Sequence, residues 1–176
     1  MMGNLYNGIW EIDLARSLVW DDASKTHVPD DVGQERITLR ITGDVQDYEV
    51  LYGDRPKIRM GYTARYDDTK WVSYAVREVL SDAADIAQEI ADFKRRIKAA
   101  DGERERSFTV GDSYGLIRLV YVDDLTHYRV SKNPKDGLAQ SIMLRRMEPD
   151  GQSYLATVLD VHGIVYRIRR FVRVAN

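Results

Sequence analysis

Apolar and polar residues alternate along most of this sequence, and the alternation restricts the folds open to it. Ile37, Leu39 and Ile41 are separated by polar residues, and the same alternation runs from Ile58 to Tyr66. A period of two is typical of β-strands with one buried face, whereas an amphipathic helix repeats every 3.6 residues. Turn residues recur between the alternating runs, so the sequence predicts a series of hairpins.

The alternating runs predict eleven strands. They lie near residues 7 to 14, 35 to 42, 46 to 52, 57 to 66, 69 to 79, 105 to 110, 115 to 122, 126 to 132, 138 to 147, 152 to 160 and 164 to 174. Short, evenly spaced strands, mostly without helices between them, indicate an antiparallel sandwich or a closed barrel.

The composition is that of one ordinary globular domain. Of 176 residues, 44% are hydrophobic and 31% are charged, which excludes disordered and fibrous proteins. Lys and Arg number 26 against 28 Asp and Glu, and the net charge of −2 argues against nucleic acid or an anionic membrane as a partner. Cysteine is absent, which excludes disulfides, thiolate chemistry and zinc thiolate sites.

The sequence carries no recognisable export signal. No basic stretch followed by an apolar one opens it, and nowhere do about eighteen apolar residues run together. We therefore expect a soluble cytoplasmic protein.

One segment, over about residues 81 to 100, has the period of a helix instead. Its apolar residues Ala83, Ile86, Ile90, Phe93 and Ile97 are three and four apart. Ser81 or Asp82 is the predicted cap, and the helix is expected to stop near Gly102. Such a helix packs on the outside of the sheet, covers a barrel mouth as a lid, or forms a dimer contact.

The first strand resembles the start of lipocalin-like barrels, in particular of small bacterial ones. Gly8, Ile9 and Trp10 match a G-x-W signature within "GIWEIDLARS", and "YTARYDD", "VDDLT", "EPDGQSYLATV" and "FVR" look like later strands and turns of the pattern. Asp67 and Asp68 depart from it, because the pattern usually has Asp then Gly there.

The resemblance implies a lipocalin-like fold. This is an all-β antiparallel meander with one inserted helix, closed into a barrel of about eight to ten strands and forming a single domain over residues 1 to 176. It also implies that Trp10 lies at the closed end, with Arg173 over its ring.

The interior lining follows from strand pairing. Adding residue numbers across the turns pairs Ile41 with Tyr48 and Leu39 with Val50. It also pairs Met60 with Ala75 and Tyr62 with Ser73. The predicted inward residues of the first half are Trp10, Ile12, Leu14, Ile37, Leu39, Ile41, Tyr48, Val50, Tyr52, Met60, Tyr62 and Trp71.

The second half has two possible inward faces. Hydrophobicity alone favours the aliphatic face, which holds Val120, Val122, Tyr128, Val130, Ile142, Leu144, Leu155, Leu159, Tyr166, Ile168 and Val172. The family pattern favours the arginine-bearing face, which holds Ile117, Leu119, Tyr121, His127, Arg129, Ser141, Met143, Arg145, Tyr154, Ala156, Val158, Arg167, Arg169 and Phe171. We adopt the family pattern, which leaves the aliphatic face to be covered by the helix or another subunit.

In that register the interior is amphiphilic. Several cations cannot be buried together without anionic partners, so the expected ligand carries an apolar ring or chain and a carboxylate or other oxyanion, held by arginine. The predicted ligand-binding residues are Tyr52, Met60, Tyr62, Trp71, Leu119, Met143, Arg145, Tyr154, Arg167 and Arg169.

Two functions are compatible with such an interior. The first is a cofactor-independent lyase, isomerase or cyclase that works by proton transfer, with His127 as base or acid, Tyr121 as its partner and Arg129 as carboxylate clamp. The alternative is a non-catalytic carrier or sensor of a small hydrophobic ligand. A structural subunit that uses the aliphatic face for assembly is a third hypothesis. The absence of an export signal and of disulfides favours the enzyme.

Other chemistries find no support. The three histidines lack metal-ligand spacing, and no glycine-rich phosphate loop is present, so we expect no metal and no cofactor. His162 is predicted to be a turn residue, and His27 lies in a polar connection that forms a mouth loop or a linker. The expected partner is a small amphiphile, with a homodimer possible through the helix or the outer sheet face.

Overall fold

The computed structural model describes residues 4–96 and 106–175. Within them, twelve strands form a single antiparallel sheet, and helix α1 (Ile86–Arg96) connects β7 to β8. The strands are β1 (Gly8–Ile12), β2 (Leu18–Asp21), β3 (Thr26–Pro29), β4 (Glu35–Thr42), β5 (Val45–Tyr52), β6 (Lys57–Arg65), β7 (Val72–Leu80), β8 (Ser113–Asp123), β9 (Thr126–Lys132), β10 (Ala139–Met147), β11 (Ser153–Asp160) and β12 (Val165–Ala175).

Ten of the strands close into a barrel. Strand β1 pairs with β4 on one side and with β12 on the other, so that Trp10 lies between Ile37 and Arg173. The strands from β4 to β12 pair in chain order, which completes the ring. The predicted antiparallel barrel with one inserted helix is confirmed.

Trp10 closes one end of this barrel. Its side chain is fully buried, its indole N–H donates to the carbonyl oxygen of Tyr6 at 2.9 Å, and the Arg173 guanidinium lies 4.2 Å from its ring centroid. Arg173 also donates to the carbonyl oxygens of Leu5 and Asn7. The predicted cation–π pair is therefore present, and it fastens the N-terminal segment across the closed end.

Strands β2 and β3 form a hairpin where the sequence predicts a polar connection around His27. Val19 is buried and pairs with Arg167 of β12, while Nε2 of His27 lies 2.8 Å from the carbonyl oxygen of Val165. The hairpin continues along β12 beyond the point where β1 ends, and it brings Asp30 to the barrel interior.

Helix α1 begins later than predicted. Asp85, rather than Ser81 or Asp82, caps it by accepting a hydrogen bond from the backbone N–H of Gln88 at 3.0 Å. Phe93 is fully buried against Tyr52, at a centroid distance of 5.6 Å, so the helix covers one end of the barrel. Ile97 and the predicted end near Gly102 lie outside the described residues. No helix in the described ranges is long and apolar enough to cross a membrane.

The strand predicted over residues 105 to 110 is wrong for residues 106 to 110, which form a loop, and residue 105 lies outside the described ranges. Phe108 is buried in that loop because it packs between Phe93, at 5.8 Å, and Tyr114, at 5.4 Å. An aromatic cluster at the barrel end, rather than sheet pairing, holds this segment.

Two predicted registers are wrong. In β4 and β5, Leu39 pairs with Tyr48, a shift of two residues, because the turn is the tight Gly43–Asp44 pair. An even shift leaves every side chain on its predicted face. In β6 and β7, Met60 pairs with Val76, a shift of one, because β6 leaves β7 before the turn and Tyr66 bridges to Leu119 of β8.

The arginine-bearing face of the second half points inward, as the family pattern predicted. Its buried members include Ile117, His127, Arg145, Arg167 and Phe171. The aliphatic face lies outside, where Ile142 is 43% exposed. Tyr166 is the exception among its members: a bulge opposite Val158 and Leu159 turns it inward beside Arg167.

Candidate functional site

A cavity of about 70 Å³ lies inside the barrel. Apolar and aromatic side chains form much of its wall, together with arginines from β9, β10 and β12. The lining residues include Glu35, Ile37, Tyr48, Tyr52, Met60, Tyr74, Arg106, Tyr114, Ile117, Arg129, Met143, Arg145, Tyr154, Ala156, Val158, Tyr166, Arg167, Arg169 and Phe171.

Arg129 reaches the cavity from β9 and is enclosed by tyrosines. Its guanidinium lies 5.2 Å from the ring centroid of Tyr74, 5.4 Å from that of Tyr48 and 6.0 Å from that of Tyr62. Burial lowers the pKa of Arg129. The neighbouring tyrosines Tyr62, Tyr48 and Tyr74 together raise it by more than burial lowers it, so the pKa lies above its usual value and the guanidinium stays charged.

Arg145 extends from β10 and is held by Gln46, which is fully buried. Its Nη1 donates to the Gln46 amide oxygen at 3.0 Å, and its guanidinium lies 5.4 Å from the ring of Tyr6 and 5.7 Å from that of Tyr154. The partner that orients Arg145 is therefore a neutral amide, and the positive charge of the guanidinium is not neutralised.

Arg167 and Arg169 of β12 are paired with carboxylates. Asp30 accepts from Nη1 of Arg167 at 3.0 Å and from Nε of Arg169 at 2.9 Å, while Glu35 accepts from Nη1 of Arg169 at 2.9 Å. Burial raises the pKa of Asp30, but the two arginines outweigh it and hold that pKa below its usual value. Burial dominates at Glu35, whose pKa is raised despite Arg169.

Several polar atoms around the cavity have no hydrogen-bond partner among the described residues. They are Nη1 of Arg129, Nε of Arg145, Nη2 of Arg169 and the hydroxyl of Tyr154, all buried. A buried donor left without an acceptor costs about 1–3 kcal/mol. Three of the four are guanidinium N–H groups, so the cavity is arranged to receive an acceptor, and best a negatively charged one.

Most of the predicted ligand-binding residues line this cavity: Tyr52, Met60, Met143, Arg145, Tyr154, Arg167 and Arg169, together with Arg129. Tyr62 and Leu119 are buried in the core around it. Trp71 lies elsewhere. The one-residue shift in β6 and β7 puts Trp71 on the outside, where Nζ of Lys132 is 4.4 Å from its ring, and Tyr74 faces inward instead.

His127 lies away from the cavity, toward the closed end of the barrel. Arg145 and Tyr66 both donate to the amide oxygen of Gln46, so the Tyr66 hydroxyl must accept from Nδ1 of His127, 2.9 Å away. This assigns the imidazole proton to Nδ1 and leaves Nε2 as a buried lone pair without a partner in the described residues. Burial, together with Arg145, lowers the pKa of His127 to about 4.

Tyr121 faces solvent. It pairs with His127 across the β8–β9 hairpin as predicted, but it is 43% exposed and its hydroxyl donates to Asp124 at 2.6 Å. His127 and Tyr121 line a surface groove with Asp67 and Asp124, whereas Arg129 lines the cavity. The predicted catalytic trio is therefore divided between two places.

Asp30, Glu35 and Gln46 belong to this site, although the sequence did not predict them as members. Gln46 could have been found, since it is a polar residue in step with Tyr48, Val50 and Tyr52 on an otherwise apolar face. Asp30 had no such signal, because the irregular segment that holds it follows a hairpin the alternation did not predict.

Comparisons with known proteins support the fold. No known family profile matches the sequence, and no curated protein matches it. Among solved structures, a fatty acid binding protein of Schistosoma mansoni in complex with arachidonic acid superimposes with a TM-score of 0.53 at 14% sequence identity. The match covers 97% of this chain and 96% of that one. At this identity the likeness shows a shared closed barrel.

The prediction of a proton-transfer enzyme is wrong. A general base works best with a pKa near the working pH, whereas that of His127 is about 4 and its predicted partner Tyr121 is bonded to Asp124 at the surface. One solved structure that shares the fold is that of a fatty acid binding protein. The carrier or sensor, the alternative drawn from the sequence, agrees better with these observations.

Proposed function

We propose that this protein binds a small amphiphile with an anionic head group inside the barrel, as a carrier or sensor. The observation that carries the proposal is the pair Arg129 and Arg145, since Nη1 of Arg129 and Nε of Arg145 are buried and lack an acceptor among the described residues. A carboxylate or another oxyanion supplies such an acceptor and neutralises charge at the same time. The Tyr154 hydroxyl, also without a partner, is a further donor to the head group.

The rest of the wall suits an apolar body. Ile37, Met60, Ile117, Met143 and Phe171 line the cavity between the arginines and the aromatic rings. The small volume of about 70 Å³ favours a compact ligand, with a ring or a short chain. The Schistosoma mansoni protein, solved with arachidonic acid, supports the binding of an acid with an apolar body in a barrel of this kind. We also propose that the chain is related to the lipocalin-like barrels, which the shared barrel fold and its G-x-W start support.

A displacement assay tests the proposal. A fluorescent aromatic anion, anilinonaphthalene sulfonate, is titrated into the protein and displaced by benzoate or by benzyl alcohol, which has a similar size but no charge. We expect benzoate to displace it at lower concentration. Arg145→Gln should weaken benzoate binding by about ten-fold or more, since a charge-assisted hydrogen bond contributes about 1.5–3 kcal/mol.

The neighbouring arginine on the same strand is a matched control. Arg146 is exposed on the outer face of the barrel, so Arg146→Gln should leave benzoate binding unchanged. Equal losses in the two variants, or equal displacement by benzoate and benzyl alcohol, would contradict the proposal. The ligand should also be recovered chemically unchanged after incubation.

Two further expectations from the sequence stay predictions. One is the cytoplasmic location, and the other is a homodimer, for which the outer aliphatic face with its exposed Ile142 is the surface to test. Analytical ultracentrifugation of the wild type and of Ile142→Glu distinguishes a dimer from a monomer.

A further inference from the structure

The two arginines without carboxylate partners are close neighbours in the sheet. Arg129 pairs with Met143 and Arg145 pairs with His127, so the two arginines are diagonal neighbours on adjacent strands and on the same face. Both guanidinium groups approach one ring, at 5.4 Å and 6.0 Å from the centroid of Tyr48. One head group can therefore contact both.

Besides Arg106, four arginines line the cavity, and they form two sets that differ in charge balance. Asp30 and Glu35 face Arg167 and Arg169, so that each guanidinium has a carboxylate partner. Among the described residues no carboxylate forms an ion pair with Arg129 or Arg145. The tyrosines Tyr48, Tyr62, Tyr74 and Tyr154 surround this second set, and the pKa values of Tyr48, Tyr74 and Tyr154 are raised by burial, so these hydroxyls stay neutral.

Because Gln46 is neutral, the positive charge of Arg145 is not compensated by the residue that orients it. Three hydrogen bonds fix the orientation of the Gln46 amide: the oxygen accepts from Arg145 and Tyr66, and the nitrogen donates to Tyr62 at 2.7 Å. A glutamate in the same place could orient Arg145 equally well but would neutralise it. The amide therefore fixes the geometry of the guanidinium without changing the number of positive charges that face the ligand.

We propose that the preferred ligand carries two negative charges on its head group, as a phosphate monoester or a dicarboxylate does, and that Gln46 sets this preference. The inference rests on the proposed function and adds a charge count to it. Two adjacent, uncompensated guanidinium groups are balanced by a dianion, whereas a monoanion leaves one positive charge buried without a partner.

Ligands matched in shape and differing in charge test the inference. Binding of phenyl phosphate and benzenesulfonate is compared by isothermal titration calorimetry at pH 7.5 and pH 5, and phthalate is compared with benzoate in the same way. We expect phenyl phosphate to bind about ten-fold or more tightly than benzenesulfonate at pH 7.5. The ratio should fall at pH 5, because the second phosphate pKa is about 6 and the sulfonate stays a monoanion.

The sulfonate also controls for any effect of pH on the protein itself, including the groups Glu35 and His127 near the site. Comparison of phthalate with phenyl phosphate decides whether the preferred dianion is a dicarboxylate or a phosphate. Gln46→Glu should reduce the preference for the dianion to about two-fold or less, since it removes one uncompensated charge. Gln152→Glu, an exposed change at the barrel end, should keep the wild-type ratio.

Equal affinity of the wild type for dianions and monoanions would overturn this inference while leaving the proposed function intact. If no anion binds, both fall together. If Gln46→Glu does not fold, the pH dependence of the wild-type ratio still decides the question, because it requires no variant.

Discussion

Loss of the Asp30 carboxylate should cost this protein much of its stability. Asp30 is 8% exposed and holds two buried guanidinium groups, those of Arg167 and Arg169. We predict that Asp30→Asn lowers the free energy of unfolding by about 3–5 kcal/mol in urea denaturation, because it leaves buried positive charge without a partner. Asp47→Asn, an exposed change on β5, should cost less than about 0.5 kcal/mol.

The pH dependence of that loss follows from the direction of the pKa shift. The pKa of Asp30 is below its value in the unfolded chain, so its contribution is present above about pH 4 and is lost as pH falls through the lowered value. A difference between wild type and Asp30→Asn that stays constant down to pH 2 would contradict the assignment.

The lowered pKa of His127 leads to a second prediction at the scale of single residues. Its pKa of about 4 lies below the unfolded value of 6.5, so the folded protein disfavours protonation of this imidazole. Its stabilising contribution is complete above pH 6.5 and is lost as pH falls toward 4, by up to about 3 kcal/mol. The free energy of unfolding of His127→Asn should vary less over this range than that of wild type.

The control for this measurement is His162, which is exposed in the turn between β11 and β12. His162→Asn should keep the wild-type pH profile. Identical profiles for His127→Asn and wild type would show that His127 is not desolvated as described.

At the scale of elements, two residues of helix α1 can test whether it is a lid on the barrel or a helix packed on its surface. Phe93 is buried against Tyr52 and Phe108, whereas Ile86 on the same helix is 43% exposed. We predict that Phe93→Ala lowers the free energy of unfolding by about 3–5 kcal/mol and speeds ligand release in stopped-flow measurements. Ile86→Ala should change neither quantity much. Similar effects of the two variants would show that the helix does not close the barrel end.

Prediction of these elements from sequence succeeded where a period of two was regular. In β4 and β5 the register was wrong by two residues, yet Leu39 and Tyr48 kept their inward positions because the error was even. In β6 and β7 an error of one residue exchanged Tyr74 for Trp71. Whether a register error is odd or even depends on bulges and on where paired strands separate. These features depend on distant pairings, such as that of Tyr66 with Leu119, which the local sequence pattern does not contain.

For the whole molecule, the alternating pattern left a sandwich or a closed barrel open, and the lipocalin-like resemblance selected the barrel with the arginine-bearing face inward. Neither the pattern nor the resemblance predicted which side chains pair with the buried arginines. Asp30 reaches Arg167 across 137 positions of sequence, and Gln46 reaches Arg145 across 99. With those partners known, the anion binding proposed above explains the interior better than proton transfer does, and His127 is a neutral member of a buried hydrogen-bond network.

The buried position of Trp10 gives the protein an intrinsic fluorescence signal close to the cavity. The indole is fully shielded from water and its ring lies 4.9 Å from that of Tyr154, which itself borders the cavity. Trp20 and Trp71 are partly exposed, so quenching by iodide or acrylamide removes their emission first. The remaining fluorescence comes from a chromophore one aromatic ring away from the ligand, and filling of the barrel can be followed without attaching any dye.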